Sequence, residues 1–495
     1  MTAPVLLWFR QDLRLSDNPA LEAAKGAPVL PVYVLDEAAA GRWAPGGAGR
    51  WWLHHSLAAL SAALAQRGAP LLLLRGEAAR EIPRLAAWIG AASVQAGRML
   101  EPWAVAQEAA VARALAAEGR RLELHLSGQL VAPEAVRTGA GRPYGVYTPF
   151  ARRLETLGEP APPLEAPARL CPARPPEAGL PLAALELLPR PPGPARSTPD
   201  WAAEFGGAWT PGEAGARDRL GRFMDGALGQ YARRRDDPGV EGSSALSPHL
   251  HWGEISPRQV WQAARDVAGE DPGRAKPFLR ELLWREFNQH LLAHRREMPE
   301  QPLRPAYAAF PWEPDPALLR AWQRGRTGYP IVDAGMRQLW RIGWMHNRVR
   351  MVAASLLVKH LLQPWQAGAD WFWDTLVDAD LANNSANWQW VAGCGSDAAP
   401  YFRVFNPVTQ GERFDPEGAY VRRWVPELAR MPARYIHRPW DAPEEVRRAA
   451  GLRESGAGRY PRPVVGHAEG RARALAALRG LRDRTAGPAG EAEAA

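Results

Sequence analysis

The first quarter of the chain alternates short apolar runs with amphipathic stretches. VLLWF (5–9), VLPVYVLD (29–36), LLLL (71–74) and ASVQA (92–96) are largely apolar and bounded by polar or turn residues, which predicts buried strands. Between them, residues 51–67, 77–89 and 104–119 carry a helical period. Strand and helix alternating at this spacing predict a parallel α/β sheet with covering helices over residues 1–130. WFRQDLRLSDNPAL stands after the first strand in place of GxGxxG, so no conventional dinucleotide site is expected there.

The pattern then breaks. Residues 131–212 read as an interdomain connection, proline-rich at 156–200, because proline at that density lacks the amide donors that helices and ladders use. From 213 the strand signal disappears, and segments such as SPRQVWQAARDV and NRVRMVAASLLVKHLLQ carry helical periodicity. An all-helical domain is predicted over 213–482, followed by a disordered tail at 483–495. No run of eighteen apolar residues occurs, so no membrane association is expected and the chain is read as cytoplasmic.

Composition narrows the partners. Net charge is +8, and lysine occurs only at 25, 276 and 359, leaving arginine as 58 of the 61 basic residues. An anionic partner is one explanation, with nucleic acid leading, and coding bias toward arginine is the other. Cys171 and Cys394 form no CxxC pattern, so neither a disulfide framework nor a thiolate metal site is expected. Neither a P-loop nor a GxSxG elbow is present, which lowers nucleotide hydrolysis and acyl transfer.

Four segments concentrate chemistry. In LRELLWREFNQHLL, Glu281 and Trp284 share a helical face; the alternatives are a pair presented to a ligand, or an ion-paired acid beside a core indole. GWMHNRVRM gathers Asn347, Arg348, Arg350 and Met351, either a working cluster or a solvated basic face. Asp378 and Asp380 precede the amide- and indole-rich NNSANWQW, and their i, i+2 spacing suits a bend. Ser243, Ser244 and Ser247 precede a helical pattern, where hydroxyls and free amides suit an anion or simply cap a helix.

YARRRDDP (231–238), EGSSALS (241–247), RELLWREF (280–287), TGYPIVDAGMRQL (327–339), GWMHNRVRM (343–351), DLANNSANWQW (380–390) and DAAPYFRVFNP (397–407), with WFRQDLRLSDN at 8–18, together resemble the DNA photolyase/cryptochrome family from residue 8 to about 480. The resemblance implies a Rossmann-like N-terminal domain and a larger all-α C-terminal domain holding non-covalent FAD. Tyr231, Ser243, Ser244, Ala245, Leu246, Ser247, Phe278, Asp378 and Asp380 fall at the family's FAD positions. Arg350 falls where the family pairs an arginine with the first acid, and Asn384 where an amide faces flavin N5. Trp388, Trp365 and Trp312 correspond to the electron-conducting chain from flavin to surface. Many relatives read T-S-R-L-S where this chain has Ser243–Ser247, which removes one local salt bridge but leaves FAD binding expected.

Within the family the chain looks most like a class I cyclobutane pyrimidine dimer photolyase, through Glu281, Trp284, Asn347, Met351 and Trp390. Arg235, Arg348, Arg403 and Gln410 match positions that meet DNA, chiefly at phosphates. The implied reaction flips the dimer out of UV-damaged DNA and splits it with an electron from blue-light-excited FADH−, Glu281 stabilising the dimer radical anion. The chain is expected to act as a monomer, on duplex or single-stranded DNA without sequence preference. Trp103 and Ala104 stand where folate-binding relatives carry an Asn-Glu pair, which disfavours a folate antenna in that geometry and leaves a deazaflavin, a second flavin or none open. The rival expectation is a cryptochrome-like blue-light photoreceptor.

Overall fold

The computed structural model describes residues 2–175, 178–188, 200–397, 402–452 and 459–485. Five parallel strands, β1 (Val5–Phe9), β2 (Pro28–Leu35), β3 (Leu72–Arg75), β4 (Ser93–Gly97) and β5 (Arg121–His125), lie in the order 3-2-1-4-5. Register runs Val5↔Val29 on one side of β1 and Val5↔Ser93 on the other. Helices α1 (Gly47–Gln66), α2 (Ala78–Trp88) and α3 (Pro102–Ala117) alternate with the strands along the chain. Leu6, Trp8, Val32, Val94, Ile82, Leu85 and Val111 form one buried cluster between sheet and helices. Strand order reverses between β1 and β4, so the segments after them, Arg10–Asp12 and Arg98–Glu101, flank the crevice where open α/β sheets take ligands.

Two strands went unanticipated. Among the described residues RLELH of β5 pairs only with β4, and it is half-solvated, so charge replaces the apolar run that marks an interior strand. Cys171–Pro172, β6, pairs with the start of β2, which corrects the reading of 156–200 as connection alone. Proline is tolerated there because an edge strand needs few donors, here Leu170 N to Arg67 O and Ala173 N to Val29 O, both 2.8 Å. Of that stretch, 176–177 and 189–199 lie outside the described residues, as do 398–401 of the DAAPYFRVFNP motif.

The chain divides into two compact units: Met1–Ala232, Ser243–Arg296 and Val377–Asn383 form the first, and Arg233–Gly242, Glu297–Leu376 and Asn384–Ala495 the second. The first holds the sheet together with α4 (Tyr147–Glu155), α5 (Pro257–Ala268) and α6 (Pro272–His294). Its WFRQDLRLSDN motif is a structural joint. Fully buried Arg14 donates to the carbonyls of Asp17, Gly253 and Ser127 and to Ser127 Oγ. The Asp17 carboxylate, on a residue held at φ +53°, accepts from Arg258 and Ser256.

The second unit is helical: α7 (Pro330–Ile342), α8 (Asn347–Ser355), α9 (Trp365–Thr375), most of α10 (Leu381–Ala392), α11 (Pro407–Phe414) and α12 (His467–Thr485). Buried Asp333 at the start of α7 accepts from Thr327 N (2.7 Å), Thr327 Oγ1 (2.6 Å), Gly328 N (3.0 Å) and Tyr460 Oη (2.6 Å). Helix α12 runs to Thr485, past the expected start of the tail at 483; residues 486–495 lie outside the described residues. No described helix is long and apolar enough to cross a membrane.

Candidate functional site

In the first unit, α6 carries Glu281 and Trp284 one turn apart, both half-buried. The Trp284 indole lies flat on Tyr147 of α4, ring centroids 3.5 Å apart and planes 5° apart. Tyr147 is held by its hydroxyl, which donates to Arg280 O at 3.2 Å. One face of the indole is therefore taken by the protein.

The acidic bend precedes α10. Asp380 caps that helix: its Oδ1 accepts from Asn383 N (2.8 Å) and Asn383 Nδ2 (2.7 Å). Asn383 Oδ1 accepts in turn from Asn288 Nδ2 of α6 at 2.8 Å. His251 Nδ1 stands 3.8 Å from Asp380 Oδ2, within reach of charge but beyond a hydrogen bond. Burial alone would raise the Asp380 pKa; His251, Arg285 and the Asn383 N–H instead hold the carboxyl at about 2, ionised at neutral pH. Asp378 is buried beside it in sequence, its preceding residue tied by Trp252 Nε1 to Val377 O at 3.0 Å.

Tyr231 and Phe278 meet edge to face at 5.4 Å, Phe223 joining them, so these two expected cofactor positions come together. In the serine segment, Ala245 holds φ +49° and Leu246 follows in the right-handed region. Consecutive residues of opposite hand turn their N–H groups into a concavity of the kind that holds anions. Leu246 is buried, whereas Ser243, Ser244 and Ser247 stay accessible. Ionised Asp380, the unpartnered buried Nδ1 of His251 and this hydroxyl-lined turn suit a cofactor with ring N–H groups and a diphosphate. The residues of the first unit fit FAD.

In the second unit, Arg348 reaches Asp236 at 2.8 Å, lies over Phe414 at 4.5 Å and points Nη1 at Met351 Sδ, 3.8 Å away. Arg235 lies 3.9 Å from the same Asp236 carboxylate, so one acid gathers Arg235 and Arg348. Asn347 is exposed at the start of α8; Arg350 donates from Nε to Met345 O at 2.7 Å. Trp390 on α10 and Gln410 on α11 are half-buried, and exposed Arg403 lies 5.8 Å from the Phe405 ring.

Asn384 Nδ2 donates to Ala369 O at 3.0 Å, which fixes the orientation of the amide. Trp388, one turn further along α10, is buried, as is Trp365 at the start of α9, while half-buried Trp312 packs 4.4 Å from Phe310. A Cβ on Gly368 would sit 2.1 Å from Cη2 of Trp388, so only glycine leaves room for that ring. Phe372 (5.0 Å) and Trp322 (6.1 Å) also touch Trp388. Gln389 is fully buried and tied to Met298 O, Gln301 O and Leu303 N. Sequence reasoning did not single out Tyr147, Asp236, His251, Arg285, Gly368, Asn383 or Gln389; each acts through a partner distant along the chain.

Residues 278–480 match the FAD binding domain of DNA photolyase, and residues 5–168 match the DNA photolyase model. The deoxyribodipyrimidine photo-lyase of Agrobacterium fabrum is 48% identical over 491 residues, covering 98% of this chain and 99% of that protein. The chain belongs to the DNA photolyase/cryptochrome family. It is an FAD-binding member with the parallel-sheet and helical domains of that fold. A crystal structure of a bacterial class III photolyase from Agrobacterium tumefaciens superimposes with a TM-score of 0.92 at 48% identity, over 98% of each chain. The expected class I placement thus finds no support. Cryptochrome-1 of Arabidopsis thaliana is 36% identical, covering 96% of this chain and 70% of that protein. The relatives therefore include both a photo-lyase and a cryptochrome.

Proposed function

We propose that this photolyase-family chain is a light-dependent DNA repair enzyme that reverses cyclobutane pyrimidine dimers, acting as a cytoplasmic monomer on UV-damaged duplex or single-stranded DNA. The observation that carries the reading is the half-buried indole of Trp284, pinned flat on Tyr147 with Glu281 one turn away. An indole held this way offers its free face to a flipped base, and the neighbouring carboxyl offers a polar contact to the base edge. Bound FAD, reduced and excited by blue light, supplies the electron that opens the cyclobutane ring.

The protein's own groups bind and position. Tyr231, Ser243, Ser244, Ala245, Leu246, Ser247 and Phe278 would hold the cofactor with Asp378, Asp380 and Arg350. Asn384, its N–H₂ committed to Ala369 O, would turn its carbonyl oxygen toward a ring N–H donor. Trp388, Trp365 and Trp312 would conduct the electron that reduces the resting cofactor. Asn347, Met351 and Trp390 would complete the dimer pocket. Arg235, Arg348, Arg403 and Gln410 would take phosphates, Arg348 exchanging its Asp236 contact for one.

The test is recovery of thymine absorbance in an oligonucleotide carrying one dimer, with reduced FAD, under blue light and in darkness. Recovery in light alone, lost in Trp284→Ala and reduced in Glu281→Ala, is expected. Bound, photoreducible FAD with no recovery would discard the repair reading and favour a photoreceptor, to which the cryptochrome similarity also points.

A further inference from the structure

Two small cavities in the first unit share a polar wall. One, about 10 Å³ and room for the centre of one water molecule, is bounded by Gln129, Val131, Pro133, Val136, Phe150 and Leu154 together with Glu286, Gln289 and His290 of α6. The other, about 30 Å³, opens at the C-terminal ends of β1 and β4, with Glu101, His251, Arg285 and Asp380 in its lining. Gln129 and Gln289 border both.

The smaller cavity is ringed by buried polar atoms without hydrogen-bond partners: Oε1 of Gln129, Glu286 and Gln289, and Nδ1 of His290. All four residues are more than nine-tenths buried. His290 Nε2 accepts from Tyr144 N at 3.1 Å, so the neutral ring carries its proton on Nδ1 and offers a donor. The Pro133 carbonyl lies close to that ring but outside hydrogen-bonding geometry with Nδ1. Glu286 Oε2 accepts from Leu130 N at 2.9 Å, while Oε1 stands 3.6 Å from Arg285 Nη1, which donates to Gly128 O instead. Three acceptors and one donor thus surround space for one water. A water accepts from His290 and donates to two acceptors; the third is matched only if Glu286 carries a proton and donates it.

We propose that Glu286, His290 and the water they enclose form a proton-loading site that serves the cavity beside Asp380. In the transfer, the Glu286 O–H bond breaks as an O–H bond forms on the water. The water's displaced proton passes along water oriented by Gln129 and Gln289. The carboxylate is then reloaded by a proton from solvent that arrives on the same water, while His290 stays neutral and only orients that water, with partly exposed His294 4.6 Å from its ring. Protons alone move, and none is created or lost. Burial pushes the Glu286 carboxyl up to about 7, against the pull of Arg285 and the Leu130 and Val131 amides. Burial, then His294 and Arg137, hold His290 down at about 4, with Glu134 and the Pro133 carbonyl opposing. At neutral pH the site is therefore a carboxyl about half loaded, beside a neutral donor. Its service to the flavin rests on the reading that Asp380 faces the cofactor.

Infrared difference spectroscopy, on flavin-free protein and on holoprotein, tests the loading. Wild type should show a protonated carboxylic C=O band that fades with a midpoint near 7, and Glu286→Gln should lack it. On reduction of bound FAD by dithionite, with a pH-indicator dye, proton uptake should slow about tenfold or more in Glu286→Gln and in Gln289→Leu, with FAD stoichiometry unchanged. Absence of the band in wild type, or uptake at the wild-type rate in both variants, would overturn the proposal. Should Glu286→Gln fail to fold, Gln289→Leu decides the kinetics and a carbon-13 glutamate label decides the band. Failure of wild type to bind FAD would refute the functional reading, while the flavin-free spectrum still decides the loading site.

Discussion

Replacing Trp284 by alanine separates a recognition surface from a packing residue. With Tyr147 on one side of the indole, one face remains for a base, so a single stacking contact is at stake. Such a contact is worth roughly 1–3 kcal/mol, or about 5- to 150-fold in Kd. The same substitution removes an intramolecular aromatic pair worth about 0.5–1.5 kcal/mol beyond its buried area, so some stability is lost as well. Fluorescence anisotropy with dimer-bearing and undamaged oligonucleotides, beside urea unfolding, reads both quantities. The expected result is weakened binding confined to damaged DNA, with Trp284→Phe intermediate. Tyr147→Phe, which gives up only the hydroxyl bond to Arg280 O, should leave binding unchanged. Equal losses on damaged and undamaged DNA, or lost stability with affinity intact, would refute the recognition role.

Three further outcomes follow from the packing. Gly368→Ala places a methyl against Trp388, at a cost of about 1–3 kcal/mol, and should slow photoreduction of bound flavin while DNA affinity holds. Asp333→Asn leaves Gly328 N–H facing a donor, whereas the Tyr460 hydroxyl can reverse; about 1–3 kcal/mol should be lost, with faster proteolysis near residue 460. Glu286 has a folded pKa of about 7 against 4.5, so its contribution is full below about pH 4.5 and lost as pH rises through 7. At about 1.4 kcal/mol per factor of ten, Glu286→Gln should gain about 3 kcal/mol on wild type between acid and mildly alkaline pH, read by urea unfolding at each pH.

The parallel sheet was legible because β1 to β4 are buried on both faces and so read as near-continuous apolar runs. β5 was not, because it is partly exposed along its length, which lets Arg121 and Glu123 into it. The candidate site was legible unevenly. Motif order pointed to Glu281, Trp284, Asp380 and Asn384, but periodicity says nothing of what lies across from a helix. Tyr147 meets Trp284 from 137 positions earlier, and Asn288 meets Asn383 across 95. The amide-rich NNSANWQW resolves into separate tasks: Asn383 completes a cap, Asn384 is oriented by Ala369, and Gln389 holds three backbone groups. Gly368 gives no sequence signal at all, since its importance is the volume of a ring twenty residues away.

Because Gln389 fastens α10 at three points, the helix cannot roll or slide without breaking buried bonds. Asn384 and Trp388 sit one turn apart on that fastened rod, about 6 Å along its axis. The amide and the indole therefore behave as two teeth of one key. A change at position 389, whose side chain bonds to neither, should shift both together, and retuning one while sparing the other calls for substitutions at their opposing surfaces, Ala369 for the amide and Gly368 or Phe372 for the ring.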